Sequence, residues 1–236
     1  VCGDATAEKH EISREAQDDF SEQSYRRCAA AWDAGIFEDE AIPMQIPTRK
    51  GESKFLEKDE AFGKANFEKM RTLRPAFSKE GTVTAASASP MSDGASSMVL
   101  ASGSAVEKHG LKPQAKILAY AEAEQDPMFF TTAPVLAAKK VLDKANLSIE
   151  DIEYFEVNEA FAVVPLSFMK VLDVPHEKVN IHGGALAVGH PLGNSGSRIV
   201  VTLLNVLKQK KAKYGMAAIC NGGGGASALI VENLDF

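Results

Sequence analysis

Asn180-Ile-His-Gly-Gly-Ala-Leu-Ala-Val-Gly-His-Pro-Leu-Gly-Asn-Ser-Gly196 is the stretch on which the reading of this chain turns, together with Cys220-Asn-Gly-Gly-Gly-Gly225. Each sets a reactive side chain, His190 or Cys220, on backbone stripped of side chains by glycine. Glycine admits positive φ and lets a ligand come close to the main chain. A histidine and a cysteine held on such turns point to acyl chemistry.

The flanking sequence supplies a scaffold. Ser195 to Lys210 reads as a helix with Ile199, Leu203, Val206 and Leu207 on one face and lysines at its C-terminal end, where the dipole favours them. Tyr214 to Cys220 and Ala226 to Val231 read as strands. Upstream, Ala115 to Ala121 reads as a strand and Pro134 to Ala145 as a helix with proline in its first turn. Ser148 to Asp151 forms a capping-type turn, Ile152 to Val157 a strand and Glu159 to Leu172 an apolar helix. The order is βαβαβαββ, which predicts a mixed, largely parallel sheet covered by helices, an α/β fold.

Three polar groups then fall at strand ends. Asn158 and Glu159 close one strand, His190 lies in the glycine turn after the next, and Cys220 closes a third. Ligands of α/β sheets bind at the carboxyl ends of strands. Gly222 to Gly225 leads into another strand and not into a helix, which departs from a dinucleotide-binding fingerprint.

The first 113 residues are less regular. One helix is expected within residues 1–35, capped by Ser13 and stopped by Gly35, with Ala16, Phe20, Cys28, Ala31 and Trp32 as its buried stripe. Cys28 is then a core thiol. Ile42-Pro43 and Ile46-Pro47 predict extended backbone, and Lys50-Gly51 a turn. Lys54, Lys58, Lys64, Lys69, Arg71 and Arg74 form either a solvated face or a loosely basic lid over a phosphate-bearing ligand. A small-residue loop from Gly81 leads to Met98-Val99-Leu100, a strand candidate. His10, His109 and His176 are expected at the surface, and His182 as a hydrogen-bonded turn residue.

The chain has 236 residues and a formal net charge of −6, with no dense basic face. A general nucleic-acid binder is disfavoured, and no apolar run is long enough to span a bilayer. Three cysteines without paired spacing argue against a disulfide framework and against a structural zinc site.

Together these motifs resemble the thiolase family. Asn158-Glu-Ala-Phe-Ala162 is similar to its Asn-Glu-Ala-Phe motif, Gly183-Gly-Ala-Leu-Ala-Val-Gly-His-Pro191 to its Gly-His-Pro motif, and Cys220-Asn-Gly to its Cys-x-Gly motif. Gly81 to Ala85 with Ser89 and Ser92 to Ala95 resembles the loop that receives coenzyme A, and Ser13 to Asp18 extends the likeness. The resemblance implies a thiolase-like fold. Residues 1–92 would be a partial loop domain on the coenzyme A side, 93–113 the last strands of an N-terminal half, and 114–236 the C-terminal domain.

The same resemblance implies roles. His190 would take the proton of a nucleophilic cysteine and, with a water held by Asn158, donate to the thioester oxygen. Cys220 would be the second acid/base, with its thiol pKa tuned downward. The Gly222 N–H would supply half of a second oxyanion hole. Ala85, Ser89, Met91, Phe130, Ala160 and Phe161 would line the substrate channel. The implied reaction is reversible acetyl transfer, two acetyl-CoA to and from acetoacetyl-CoA plus CoA, with coenzyme A as substrate and no cofactor. Phe62 stands where some members have Arg or Tyr near the nucleotide or a potassium ion, so no residue here supports a potassium site.

One departure is large. The family's acyl-accepting cysteine, in a Val-Cys-(Ala/Ser)-Ser-Gly context, has no counterpart, since neither Cys2 nor Cys28 lies in that setting. The expectation is a C-terminal portion that is inactive alone and exposes an apolar packing face. The alternatives are a non-catalytic thiolase-like chain that binds acyl-CoA and a 3-ketoacyl-CoA thiolase of broader chain length. The resemblance further implies a homo-oligomer, dimer or tetramer, in a mitochondrial or cytoplasmic setting.

Overall fold

The computed structural model describes residues 1–48 and 51–235. In chain order the helices and strands are α1 (Cys2–Lys9), α2 (Arg14–Asp33), β1 (Met44–Pro47), β2 (Ser53–Leu56), α3 (Phe67–Arg71) and α4 (Gly103–His109). There follow β3 (Ala115–Glu124), α5 (Ala133–Ala145), β4 (Tyr154–Val157), α6 (Val163–Leu172), α7 (Ala185–Val188), α8 (Ser195–Lys210), β5 (Tyr214–Cys220) and β6 (Gly225–Asn233).

Four strands form the main sheet in the order β3-β6-β5-β4. β3, β4 and β5 run the same way, and the reversed β6 lies between β3 and β5. The sheet is mixed, as expected, but not largely parallel: β4–β5 is bonded in parallel, while β3–β6 and β5–β6 are antiparallel because β6 returns from β5 through a tight turn. Side chains alternate across the sheet. Met216, Ala218 and Cys220 face one layer with Val135, Val141 and Phe168 from α5 and α6. Ala217 and Val231 face the other, against Ile199, Leu203 and Leu207 of α8.

The strand expected just before the glycine stretch does not form; Val179 makes a single parallel bridge to Phe155. Asn180 explains why. Its φ of +48° ends the extended run. Its backbone N–H donates to Phe155 O at 2.9 Å. Its carboxamide accepts from Val157 N and donates to Val157 O, both at 2.8 Å. One side chain thus closes the open edge of β4 that a fifth strand would have covered.

The N-terminal segment packs across this edge. Ser13 caps α2, its Oγ accepting from Ala16 N at 3.0 Å, and Gly35 at φ +69° follows the helix end. Phe20, Cys28, Ala31 and Trp32 are buried as expected, while Ala16 is half-buried. The Arg27 guanidinium donates to the carbonyls of His176, Val179 and Asn180. Helix α1 has no apolar stripe and was not expected.

Other expectations need correction. Helix α6 starts at Val163, not Glu159, because Glu159 turns inward as a fully buried hydrogen-bond acceptor. Met98 to Leu100 form no strand; Val99 and Leu100 are 91% and 72% exposed, with no strand edge beside them among the described residues. His176 is not a plain surface residue, since its ring stacks on Phe20 at 5.0 Å. The extended Ile42–Pro47 region pairs with β2 as a short hairpin. Lys50 lies outside the described residues, and Gly51 takes φ +81°. Arg71 of the basic run is paired with Asp19 and Glu22, which fits a solvated face.

Candidate active site

Asn158 follows β4 and Cys220 ends β5. The two strands are bonded in parallel with Val157 opposite Ala218, and Asn158 N donates to Ala218 O at 2.9 Å. Both residues therefore emerge at the same sheet end, on adjacent strands. Asn158 is fully buried, and its Oδ1 has no hydrogen-bond partner among the described residues. Cys220 is 7% exposed.

His190 reaches this end from the opposite side. Gly189 holds φ +96°, where a Cβ would collide with the Ser92 side chain. The glycine is therefore required both for its backbone conformation and for the close pass. His190 N then donates to Pro90 O at 2.9 Å. The ring lies with Nε2 at 3.4 Å from Asn158 Nδ2 and Nδ1 at 2.6 Å from Ser195 Oγ. Burial, helped by Arg198, holds the His190 pKa below its ordinary value. The ring is thus neutral near pH 7 and able to accept a proton.

Beneath the site lies a buried acceptor, Glu159. Its carboxylate receives Ser24 Oγ at 2.7 Å, Asn180 Nδ2 at 2.9 Å and Leu186 N at 3.1 Å. Ser24 Oγ also accepts from Gly184 N at 3.1 Å. This network ties α2, β4 and the glycine stretch together. Burial raises the Glu159 pKa while these donors oppose it. At Gly183, with φ +78°, any Cβ would strike the Ser24 backbone, so α2 and the glycine turn approach as only glycine allows. His182 bonds Gln209 Oε1 at 3.1 Å, the turn-anchoring role expected of it.

Several residues assigned to a substrate channel border the same region. Ser89 N and Oγ both donate to Ala160 O, at 3.1 and 3.0 Å. Ala88 bridges Phe161, and Met91, 90% exposed, bridges His190. An open groove of about 440 Å³ continues outward between Ser92–Ser96 and Pro191–Ser197. Ala85 is exposed on the Thr84–Ser87 turn, Phe130 flanks the main core, and Gly222 is exposed in the β5–β6 turn. Among the described residues no hydrogen bond or strand bridge joins these three to His190.

The Cys220 thiol departs from expectation. A lowered pKa was expected; burial pushes it up to about 12. The cause is an apolar setting among the main-core side chains, with only a backbone hydrogen bond opposing. The resting group is a protonated thiol. Ser195 was missed as a site residue because in sequence it reads only as a helix start. Among the described residues no group of three or more His, Cys, Asp or Glu side chains is placed to hold a metal ion. No helix among them is long and apolar enough to cross a membrane.

Comparison with known proteins gives the family and the fold. Residues 1–104 match the family model of the thiolase N-terminal domain, and residues 111–233 that of the thiolase C-terminal domain. A cytosolic acetyl-CoA acetyltransferase of Gibberella zeae is 46% identical over 235 residues, 99% of this chain and 59% of that protein. A mitochondrial acetyl-CoA acetyltransferase of Rattus norvegicus is 47% identical over 234 residues, 99% of this chain and 55% of that protein. The crystal structure of the Acat5 thiolase of Ascaris suum in complex with coenzyme A superposes with a TM-score of 0.92 at 45% identity, covering 99% of this chain and 59% of that one. The chain spans little more than half the length of these relatives. With both domain models matched in order and the Asn158, His190 and Cys220 motifs gathered at one sheet end, the chain belongs to the thiolase family.

Proposed function

We propose that this chain supplies the acid/base and oxyanion groups for acetyl transfer between coenzyme A thioesters, two acetyl-CoA to and from acetoacetyl-CoA plus CoA. The observation that carries the proposal is the meeting of Asn158 and His190 at 3.4 Å, at the strand end that also presents Cys220. Neutral His190 takes the proton of a nucleophilic thiol, and as imidazolium it donates from Nε2 to the thioester oxygen. The unpartnered Asn158 Oδ1 is suited to hold the water that completes that donor pair. The protonated Cys220 fits the cleavage direction, in which it gives its proton to the α-carbon released as acetyl-CoA. In the condensation direction its thiolate removes that proton, and the high resting pKa makes this the harder step. On this reading the Gly222 N–H, on the exposed turn after β5, would donate to the second thioester oxygen.

The nucleophile is not among Cys2, Cys28 and Cys220 on this reading. Cys28 is fully buried, and Cys2 begins α1 with its Sγ at 3.9 Å from Pro127 O. The 236-residue chain alone is therefore expected not to turn over. Cytosolic and mitochondrial relatives match at 46% and 47% identity, so likeness selects no compartment. The test is coenzyme A-dependent cleavage of acetoacetyl-CoA by a protein that carries this chain and the remaining N-terminal thiolase segment. His190→Ala and Cys220→Ser are each expected to lower kcat by at least about 10²-fold. Activity retained in both variants refutes the proposal. Preference for long-chain 3-ketoacyl-CoA in competition would move the substrate and keep the mechanism.

A further inference from the structure

Ser195 belongs to none of the motifs that carry the family likeness, yet its hydroxyl makes the shorter of the His190 ring's two hydrogen-bond contacts among the described residues. It is fully buried, with Oγ at 2.6 Å from His190 Nδ1. It stands at the first position of α8, whose N-terminus has no side-chain cap, so the hydroxyl is not spent on capping. Its Oγ–H donates instead to Pro191 O at 3.2 Å, back across the turn that follows His190.

We propose that Ser195 is a positioning residue that sets the tautomer of His190, keeping the ring proton on Nδ1 so that Nε2 offers its lone pair to the reacting thiol. Two contacts on opposite sides of the ring agree. A hydroxyl whose hydrogen goes to Pro191 O can only accept from the ring, which requires Nδ1–H. On the far side Asn158 presents Nδ2, a donor, and a donor there requires Nε2 to be unprotonated. The opposite tautomer would set Nε2–H against Asn158 Nδ2, donor to donor. Without the hydroxyl only the longer 3.4 Å contact with Asn158 Nδ2 still favours Nδ1–H, and the second tautomer gains population. The idea rests on the reading of His190 as the proton acceptor, but its test does not require turnover.

The measurement is the ¹⁵N spectrum of the chain labelled at histidine, near pH 7.5, where His190 is neutral. The chain has five histidines, and His190→Gln assigns the signal. The expected result is a protonated Nδ1 and an unprotonated Nε2. Ser195→Ala is expected to mix the two states, and Ser195→Thr, which keeps a hydroxyl, to restore the first. A wild-type ring with its proton on Nε2, turned to Asn158 Oδ1, overturns the proposal. So does a Ser195→Ala ring that keeps the same tautomer ratio. The wild-type spectrum decides the first point even if the alanine variant does not fold. In a protein that also carries the N-terminal segment, Ser195→Ala is expected to lower kcat about 10- to 100-fold at steady KM. A predicted tautomer without acetyl transfer would sink the proposed function and leave this inference standing.

Discussion

Replacing Asn180 by alanine removes the group that stands in for a missing strand. Asn158 N points from β4 toward β5, so by alternation the N–H and C=O of Val157 point to the open side. Among the described residues both are met there only by the Asn180 carboxamide, at 2.8 Å, and Val157 is 1% exposed. Orphaning two buried backbone groups costs about 1–3 kcal/mol each. Holding alanine at the φ of Asn180, +48°, adds about 1 kcal/mol. The expected loss is about 5 kcal/mol, a large part of an ordinary domain's stability. Urea unfolding followed by fluorescence of the single tryptophan, Trp32, measures it. Asn180→Gly relieves the backbone strain but not the orphaned groups, so it is expected to recover only about 1 kcal/mol relative to alanine. An Asn180→Ala variant within about 1 kcal/mol of wild type would refute the idea that this carboxamide closes the edge of β4.

Three further outcomes follow from the same geometry. Gly189→Ala puts a Cβ into the Ser92 side chain at a positive φ, and is expected to destabilise by about 2–3 kcal/mol and to displace His190, read as a melting shift with loss of activity. His176 is held at about 4, chiefly by burial and then by Arg27, against about 6.5 in the unfolded chain. Because its folded pKa is depressed, the stability tied to the neutral ring is complete above about pH 6.5 and lost as pH falls toward 4. His176→Phe keeps the stack on Phe20 and is expected to remove about 1–2 kcal/mol of that acid sensitivity, in melts compared at pH 7 and pH 4.5. Iodoacetamide at pH 8 is expected to label half-exposed Cys2 at least about tenfold faster than Cys28 or Cys220, as peptide mass mapping would show; equal labelling would contradict the burial that raises the latter two.

Much of the scaffold was legible because it repeats. Helix α8 begins and ends at Ser195 and Lys210 as read, since Ile199, Leu203, Val206 and Leu207 keep helical spacing over about two turns. Helix α5 and the turn in which Asp151 accepts from Ser148 were legible for similar reasons of period and capping. Helix α1 was not, because it buries Gly3, Thr6 and Ala7, which form no recognisable apolar face. The Asn180 device and the inward Glu159 were hidden for a different reason. Side chains that bond backbone leave no periodic trace. At the site, residue types and strand ends pointed to Asn158, His190 and Cys220. The sense of the Cys220 shift depended on burial, which motif spacing does not encode. Ser195 depended on a five-residue return across a turn, visible only once the ring was placed.

The central claim is that this chain carries the acid/base half of an acyl-transfer site and not the nucleophile. The most direct measurement is the intact mass of the chain after incubation with acetyl-CoA, beside that of a protein that also carries the N-terminal thiolase segment. No acetyl group is expected on the 236-residue chain. One acetyl group is expected on the longer protein, formed more slowly when His190 is replaced by alanine. An acetyl thioester on Cys2, Cys28 or Cys220, accompanied by turnover of acetoacetyl-CoA by the chain alone, would contradict it.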